Sequence, residues 1–315
     1  MRFIALELQR SITYKLSTLN DQLYQVRWSG KTDGTPFMQK ALISIFRYVD
    51  VRVGYAFMAV VILFYMLFRH SAFMAQYNYF RKCYGNNPLK ACFNVYLNHF
   101  QFGQVILDRF ATYAGKQYRC EFDGKEVFDE WCGQQDGFII AFSHTGNYEI
   151  SGYNLKPGNK HLSVLAYSGE TQTVMQNRQK MFERNNITII PMGEDIGYVF
   201  LLKEALEKGD IVSMPADRGL DNSRHITCRF FGREADIPMG PFYIAVTMEK
   251  KMLAVFVMKK KWDTYRVIMC PVYGNDKLSK NGNIRYIAQA YADMLERIVR
   301  QYPTQWYHYV NFWKE

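Results

Sequence analysis

The side chains best suited to chemistry in this chain are His144 and Glu149, in the stretch 138–155, FIIAFSHTGNYEISGYNL. An imidazole with an ordinary pKa near ~6.5 changes charge close to working pH, and a carboxylate holding one ring nitrogen raises the basicity of the other. Such a pair would let His144 take a proton from a hydroxyl or an amine. Five positions apart on one continuous helix, the two would point well over a right angle apart, at about 100° per residue. The residues between them remove that obstacle. The Ile- and Phe-rich run before Ser143 reads as a buried strand and the small polar run 143–147 as a tight turn, with Asn147 as N-cap of a helix whose first turn carries Glu149. A turn folds the imidazole back over the helix start, where the backbone dipole also favours an ionised carboxylate.

The elements that must position this pair follow a regular rhythm beyond residue 118. Strands are expected at 137–143, 162–167, 187–191, 211–215, 226–231, 252–258 and 265–270, with helices at 171–184, 196–208, 239–250 and 284–301. Strands alternating with helices predict an α/β fold with a mostly parallel central sheet flanked by helices. Ligands in such folds bind beyond the carboxyl ends of the strands, where His144 falls. The strand 211–215 ends in Pro-Ala-Asp-Arg-Gly, which puts Asp217 and Arg218 on a loop at the same edge if the strands are parallel. Arg178, with Arg184 as the alternative, lies on the helix after the second of these strands and could bind phosphate or steady a developing negative charge.

Upstream the pattern is helical. Residues 53–68, VGYAFMAVVILFYMLF, carry no charge and are bounded by Arg52 and by Arg69 with His70. As a helix they span about 24 Å, short of the ~30 Å hydrocarbon core, so an interfacial anchor, a snorkelled span and a buried core helix all suit this length. Residues 73–115 are helical and crowded with aromatics. The expected organisation is an N-terminal helical, membrane-associating region at 1–115 and an α/β domain at 116–315, with a loop at 28–36 leading into the first helix. Lys and Arg outnumber Asp and Glu by 39 to 29, a formal charge of +10 that favours anionic partners such as a phospholipid surface, a phosphorylated small molecule or an acidic carrier protein. No nucleic-acid-binding signature accompanies that charge. The six cysteines form no CxxC pair and the histidines no HxxH spacing, so neither a metal nor another cofactor is expected. No signal peptide is read at the N-terminus.

The order of the motifs resembles one family. An HxxxxE turn, an Arg-bearing helix, a Pro-x-Asp-Arg loop, a strand ending Phe230-Phe231-Gly232 with Gly240-Pro241 after it, and a terminal Pro303-x-Gln305-Trp306 together resemble the bacterial lipid A late (lauroyl/myristoyl) acyltransferases of the lysophospholipid acyltransferase superfamily. The resemblance runs over roughly residues 40–315. Segment 28–68 looks closer to related acyltransferases of aryl polyene and other specialised lipid pathways. The glycerophosphate branch usually has Asp at the Glu149 position and a later Phe-Pro-Glu-Gly-Thr stretch, and neither occurs here.

The resemblance implies an enzyme on the cytoplasmic face of the inner membrane that moves a fatty acyl chain from acyl carrier protein or coenzyme A to a lipid hydroxyl. Carried onto this sequence, His144 is the base, Glu149 its orienting partner, Arg178 a site arginine, and Asp217 with Arg218 a loop near the acceptor. Asn147 joins them as a substrate contact, and backbone N–H groups at 145–147 or an arginine would hold the oxyanion. A lipid hydrolase and a non-catalytic lipid-binding protein are the alternatives from other functional classes.

Overall fold

The computed structural model describes residues 35–315 apart from 69, 168–171, 193–196, 220–222, 310–311 and 314–315. The loop expected at 28–36 therefore lies, up to residue 34, outside the described residues. Among the described residues four helices come first: α1 (Pro36–Phe46), α2 (Val51–Phe68), α3 (His70–Tyr84) and α4 (Pro88–Tyr113). Thr35 and Asn87 start α1 and α4 by accepting the N–H groups of Met38 and Lys90, and a proline follows each cap where its missing N–H costs nothing. α2 is the apolar stretch of the sequence, and only 17% of it is buried. A core helix would hide its side chains; here Val53, Phe57, Val60, Leu63, Phe64 and Leu67 face outward. That exposure fits a membrane-associating region.

The remainder is mixed α/β: β1 (Arg119–Asp123), α5 (Lys125–Cys132), β2 (Phe138–Gly146), α6 (Tyr148–Asn154), β3 (Leu162–Tyr167), α7 (Gln172–Glu183), β4 (Ile187–Met192), α8 (Gly197–Glu207), β5 (Ile211–Pro215), β6 (His225–Phe230), β7 (Arg233–Pro238), α9 (Gly240–Thr247), β8 (Lys251–Lys261), β9 (Thr264–Val272) and α10 (Lys280–Gln301). Seven strands form one sheet in the order β1-β9-β8-β2-β5-β3-β4, and β6 pairs with β7 apart from it. Neighbours in the large sheet are parallel except β8 and β9, which form an antiparallel hairpin. Along β2, Ile139 and Ala141 pack into one core and Phe138 and Ile140 into the other, the period-two signature of a strand covered on both faces.

Strand β2 changes character near its end. Phe142 pairs with Val255 and Gly146 with Val257, so four steps along β2 match two along β8. The surplus residues bulge out of the ladder at 143–145, which takes His144 off the regular pleat. Gly146 then brings the chain back with φ +51, and a Cβ there would lie 1.9 Å from the carbonyl oxygen of Val257. Only glycine fits that close approach.

A buried polar cluster ties the helices to the sheet. Asp108 on α4, wholly buried, accepts hydrogen bonds from the hydroxyls of Tyr55 on α2, Tyr118 and Tyr265 and from Lys259 Nζ. Removing one partner of a buried ion pair strands the other charge, a loss of about 3–5 kcal/mol. Asp108→Ala is therefore expected to lower unfolding stability by that amount, and the added Lys259→Met to restore much of it, as read from denaturant titrations of the detergent-solubilised protein.

Candidate functional site

The site forms where β2 and β5 end side by side. They run parallel in register from Phe138 opposite Ile211 to Phe142 opposite Pro215, and the Ala216 N–H reaches the Phe142 carbonyl at 2.8 Å. One residue further, Asp217 meets the bulge of β2. Its Oδ1 lies 2.8 Å from His144 Nδ1, while Oδ2 accepts the His144 backbone N–H at 2.9 Å and the Trp306 indole N–H at 3.3 Å. The carboxylate is sealed from solvent, whereas the His144 side chain keeps 21% of its surface exposed. Phe142 and Tyr148, stacked 4.7 Å apart, flank the ring with apolar surface.

Electrostatics fixes the charges of the pair. Burial pushes the Asp217 carboxyl up, but the His144 ring and its hydrogen bonds pull further the other way and hold it well below the usual carboxylate range. Burial and then the positive Arg218 lower the pKa of His144 against the opposing pull of Asp217. At neutral pH the acid is ionised and the imidazole neutral, so Nδ1 donates to Asp217 and Nε2 carries the free lone pair.

Glu149 is placed differently from the sequence expectation. Its Oε1 is 2.6 Å from Arg178 Nη2 and 2.8 Å from Arg109 Nη2, and its Oε2 accepts the Tyr153 hydroxyl at 3.0 Å. Among the described residues no hydrogen bond joins it to His144. The orienting partner expected at Glu149 is, in the fold, Asp217. The left-handed turn at Gly146 and the short α6 send the Glu149 side chain toward α4 and α7, where two guanidinium groups outbid any imidazole for it. Burial raises its carboxyl pKa, and those guanidinium groups bring it below the ordinary value.

The remaining expected residues divide. Arg178 is only 3% exposed and meets Glu149, whereas Arg184 lies on the surface. Arg218 follows Asp217 and its charge bears on both His144 and His308. Asn147 is buried in its own local structure: its backbone N–H goes to the Val257 carbonyl at 2.8 Å and its side chain to the Tyr265 hydroxyl at 3.4 Å, with no capping bond to α6. That N–H is thus engaged and cannot also serve an oxyanion. Among the described residues no His, Cys, Asp or Glu side chains gather in a group of three that could hold a metal.

Sequence reasoning missed the contribution of the C-terminal arm. The Pro303-x-Gln305-Trp306 run, named above only as one motif in the series, builds the back of the site. Trp306 bridges to Thr145, the Tyr307 N–H donates to the His144 carbonyl at 2.9 Å, and the indole of Trp306 reaches Asp217. Buried amides hold the arm there. Asn98 of α4 donates to the Thr304 and Trp306 carbonyls, Gln76 of α3 to that of His308, and Gln305 pairs both ways with the Lys259 backbone.

Fold and site together define an α/β protein with an outward-facing apolar helix and a histidine–carboxylate pair at the carboxyl edge of its sheet. The family profile described as bacterial lipid A biosynthesis acyltransferase matches residues 103–315, and the chain belongs to that family. Membership supports transfer of an acyl group to a lipid and association with a membrane. A comparison with curated proteins finds no match.

Glu149→Gln is expected to cost about 3–5 kcal/mol at pH 7 by leaving two buried cations under-compensated. The folded-state pKa of Glu149 is lowered, so its stabilisation is full above the unfolded value near ~4.3 and is lost as pH falls below it. The gap between wild type and variant should therefore narrow on acidification through that range, as read from denaturation midpoints against pH.

Proposed function

We propose that the protein transfers a fatty acyl chain from a thioester of acyl carrier protein or coenzyme A to a hydroxyl of a lipid acceptor, with His144 as general base. The observation that carries this reading is the ring of His144, held at Nδ1 by a sealed carboxylate and open to solvent on part of its surface. Nε2 takes the proton of the acceptor hydroxyl as its oxygen bonds to the thioester carbonyl carbon. The carbonyl π electrons move onto oxygen, and Arg218, whose positive charge already reaches His144, steadies that oxyanion. The intermediate then collapses, the carbon–sulfur bond breaks, and the imidazolium returns the proton to the departing thiolate. No acyl-enzyme is needed.

Asp217 sets the tautomer and steadies the imidazolium. Glu149, Arg109 and Arg178 act at one remove, bracing α6 and the turn that carries His144. The family and the outward face of α2 support work at a membrane, and a soluble thioester donor suits the cytoplasmic face of the inner membrane. The division at residues 115 and 116 falls between the end of α4 at Tyr113 and the start of β1 at Arg119, consistent with a membrane-associating helical part and an α/β part.

Incubation with acyl-carrier and acyl-coenzyme A thioesters and a membrane lipid extract tests the reaction. Wild type should move label into a lipid, and His144→Ala should lose roughly 10²- to 10⁴-fold in rate. Asp217→Asn should lose rate while leaving the acceptor KM little changed. Release of free fatty acid alone would identify a hydrolase, and no turnover with either donor a lipid-binding protein. Because its surroundings lower the pKa of His144, the acid limb of the rate profile should lie below ~6.5, which a pH series of initial rates measures.

A further inference from the structure

Two apolar faces run along α2. Val51, Tyr55, Met58 and Ile62 recur every three or four residues and face the protein, whereas Val53, Phe57, Val60, Phe64 and Leu67 follow the same spacing two positions on and face outward. The helix of a soluble protein would carry charge on that second face.

The inner face holds α2 against α4, and the two run antiparallel. The Leu107 side chain covers Gly54, the Met58 side chain covers Gly103, the Tyr96 hydroxyl donates to the Ala59 carbonyl at 3.0 Å, and the rings of Tyr65 and His99 lie 5.9 Å apart. Contact therefore continues over about three turns of α2. Along the same stretch α4 is fastened to the α/β part, Asp108 to Lys259 of β8 and Asn98 to the carbonyls of Thr304 and Trp306. If α2 crossed the ~30 Å hydrocarbon layer, this flank would cross beside it. Charged groups would go with it, among them the exposed pair of Lys260 and Glu121 next to Lys259.

That cost is avoided when α2 lies flat. At the Arg52 end of the helix, Trp262 stands 41% exposed between the Arg52 guanidinium at 4.5 Å and Lys116 Nζ at 4.4 Å. Indole rings and long cationic side chains belong at headgroup level. Between residues 36 and 70 Asp50 is the one acid against Lys40, Arg47, Arg52 and Arg69, a balance that suits an anionic leaflet.

We propose that α2 lies in the plane of the membrane with its outward face sunk into one leaflet of anionic phospholipid, and does not cross. The inference rests on the family's association with a membrane and not on the chemistry proposed for His144, so its readouts are topology and binding rather than turnover.

In spheroplasts of cells expressing the full chain, a membrane-impermeant maleimide probes Tyr48→Cys, just before α2, and Lys277→Cys, in the α/β part, over the wild-type background. Both positions are exposed. Reactivity in detergent is confirmed first, with Arg47→Cys in place of Tyr48→Cys if that fails. The two positions are expected to behave alike, shielded in intact spheroplasts and labelled after lysis. One labelled from outside and the other only after lysis overturns the proposal.

A second arm measures flotation of the purified chain with phosphatidylcholine vesicles, with and without phosphatidylglycerol. Binding should be tighter with the anionic lipid, and Phe57→Asp and Phe64→Asp should each weaken it about tenfold or more, while Tyr273→Asp, at the opposite edge of the sheet from Trp262, leaves it unchanged. Near-ultraviolet circular dichroism confirms that each variant is folded, and Val60→Asp replaces any that is not. No flotation, flotation indifferent to lipid charge, or flotation that the folded α2 variants keep within about twofold of wild type overturns it. So does a dimer that the same substitutions dissociate, which would show a second copy covering the face.

Discussion

One sealed carboxylate organises the site. Asp217 accepts three hydrogen bonds, from the ring of His144, from the backbone of the same residue and from the indole of Trp306. The donors come from a bulged strand and the C-terminal arm and the acceptor from a strand-end loop, segments far apart in sequence. An ionised acid in such a place is tolerable only when it is fully satisfied, so the bulge at 143–145, the end of β5 and the position of Trp306 are mutually constrained. The imidazole gains a fixed tautomer from the arrangement and keeps its other nitrogen for chemistry.

Two further buried carboxylates serve the frame. Asp108 gathers three tyrosines and Lys259 and joins α2 and α4 to the β8–β9 hairpin; Glu149 gathers Arg109 and Arg178 and joins α6 to α4 and α7. Asn147 links the first cluster to the turn after His144 through Tyr265. The same helices that carry an outward apolar face therefore also hold the turn bearing His144. The apolar surface and the His144 ring are parts of one packed unit.

Much of this was legible in the sequence because burial leaves periodic traces. The apolar runs at 162–167 and 211–215 match β3 and β5 in full, and the strand-turn-helix at His144 follows from Gly146 and the polar run around it. β1 was not legible, since Arg119 to Asp123 is an edge strand with mixed polar content and only partial burial. β7 escaped for a similar reason, as Arg233, Glu234 and Asp236 read as loop. The antiparallel pairing of β8 and β9 left no trace beyond the short turn at Trp262 and Asp263. The partner of His144 was misread because five-residue spacing made Glu149 the nearest carboxylate in sequence, whereas the adjacency of β2 and β5, invisible without the sheet order, brings in Asp217 from 73 positions away.

Nitrogen-15 NMR of the histidine rings in detergent micelles, with His144 assigned by comparison with His144→Ala, tests the central pairing most directly. At pH 7 the His144 ring is expected to be neutral, with its proton on Nδ1 and Nε2 bare, and Asp217→Asn should disturb that signal while Glu149→Gln leaves it in place. A ring protonated on Nε2, or one that responds to Glu149→Gln and ignores Asp217→Asn, would contradict it.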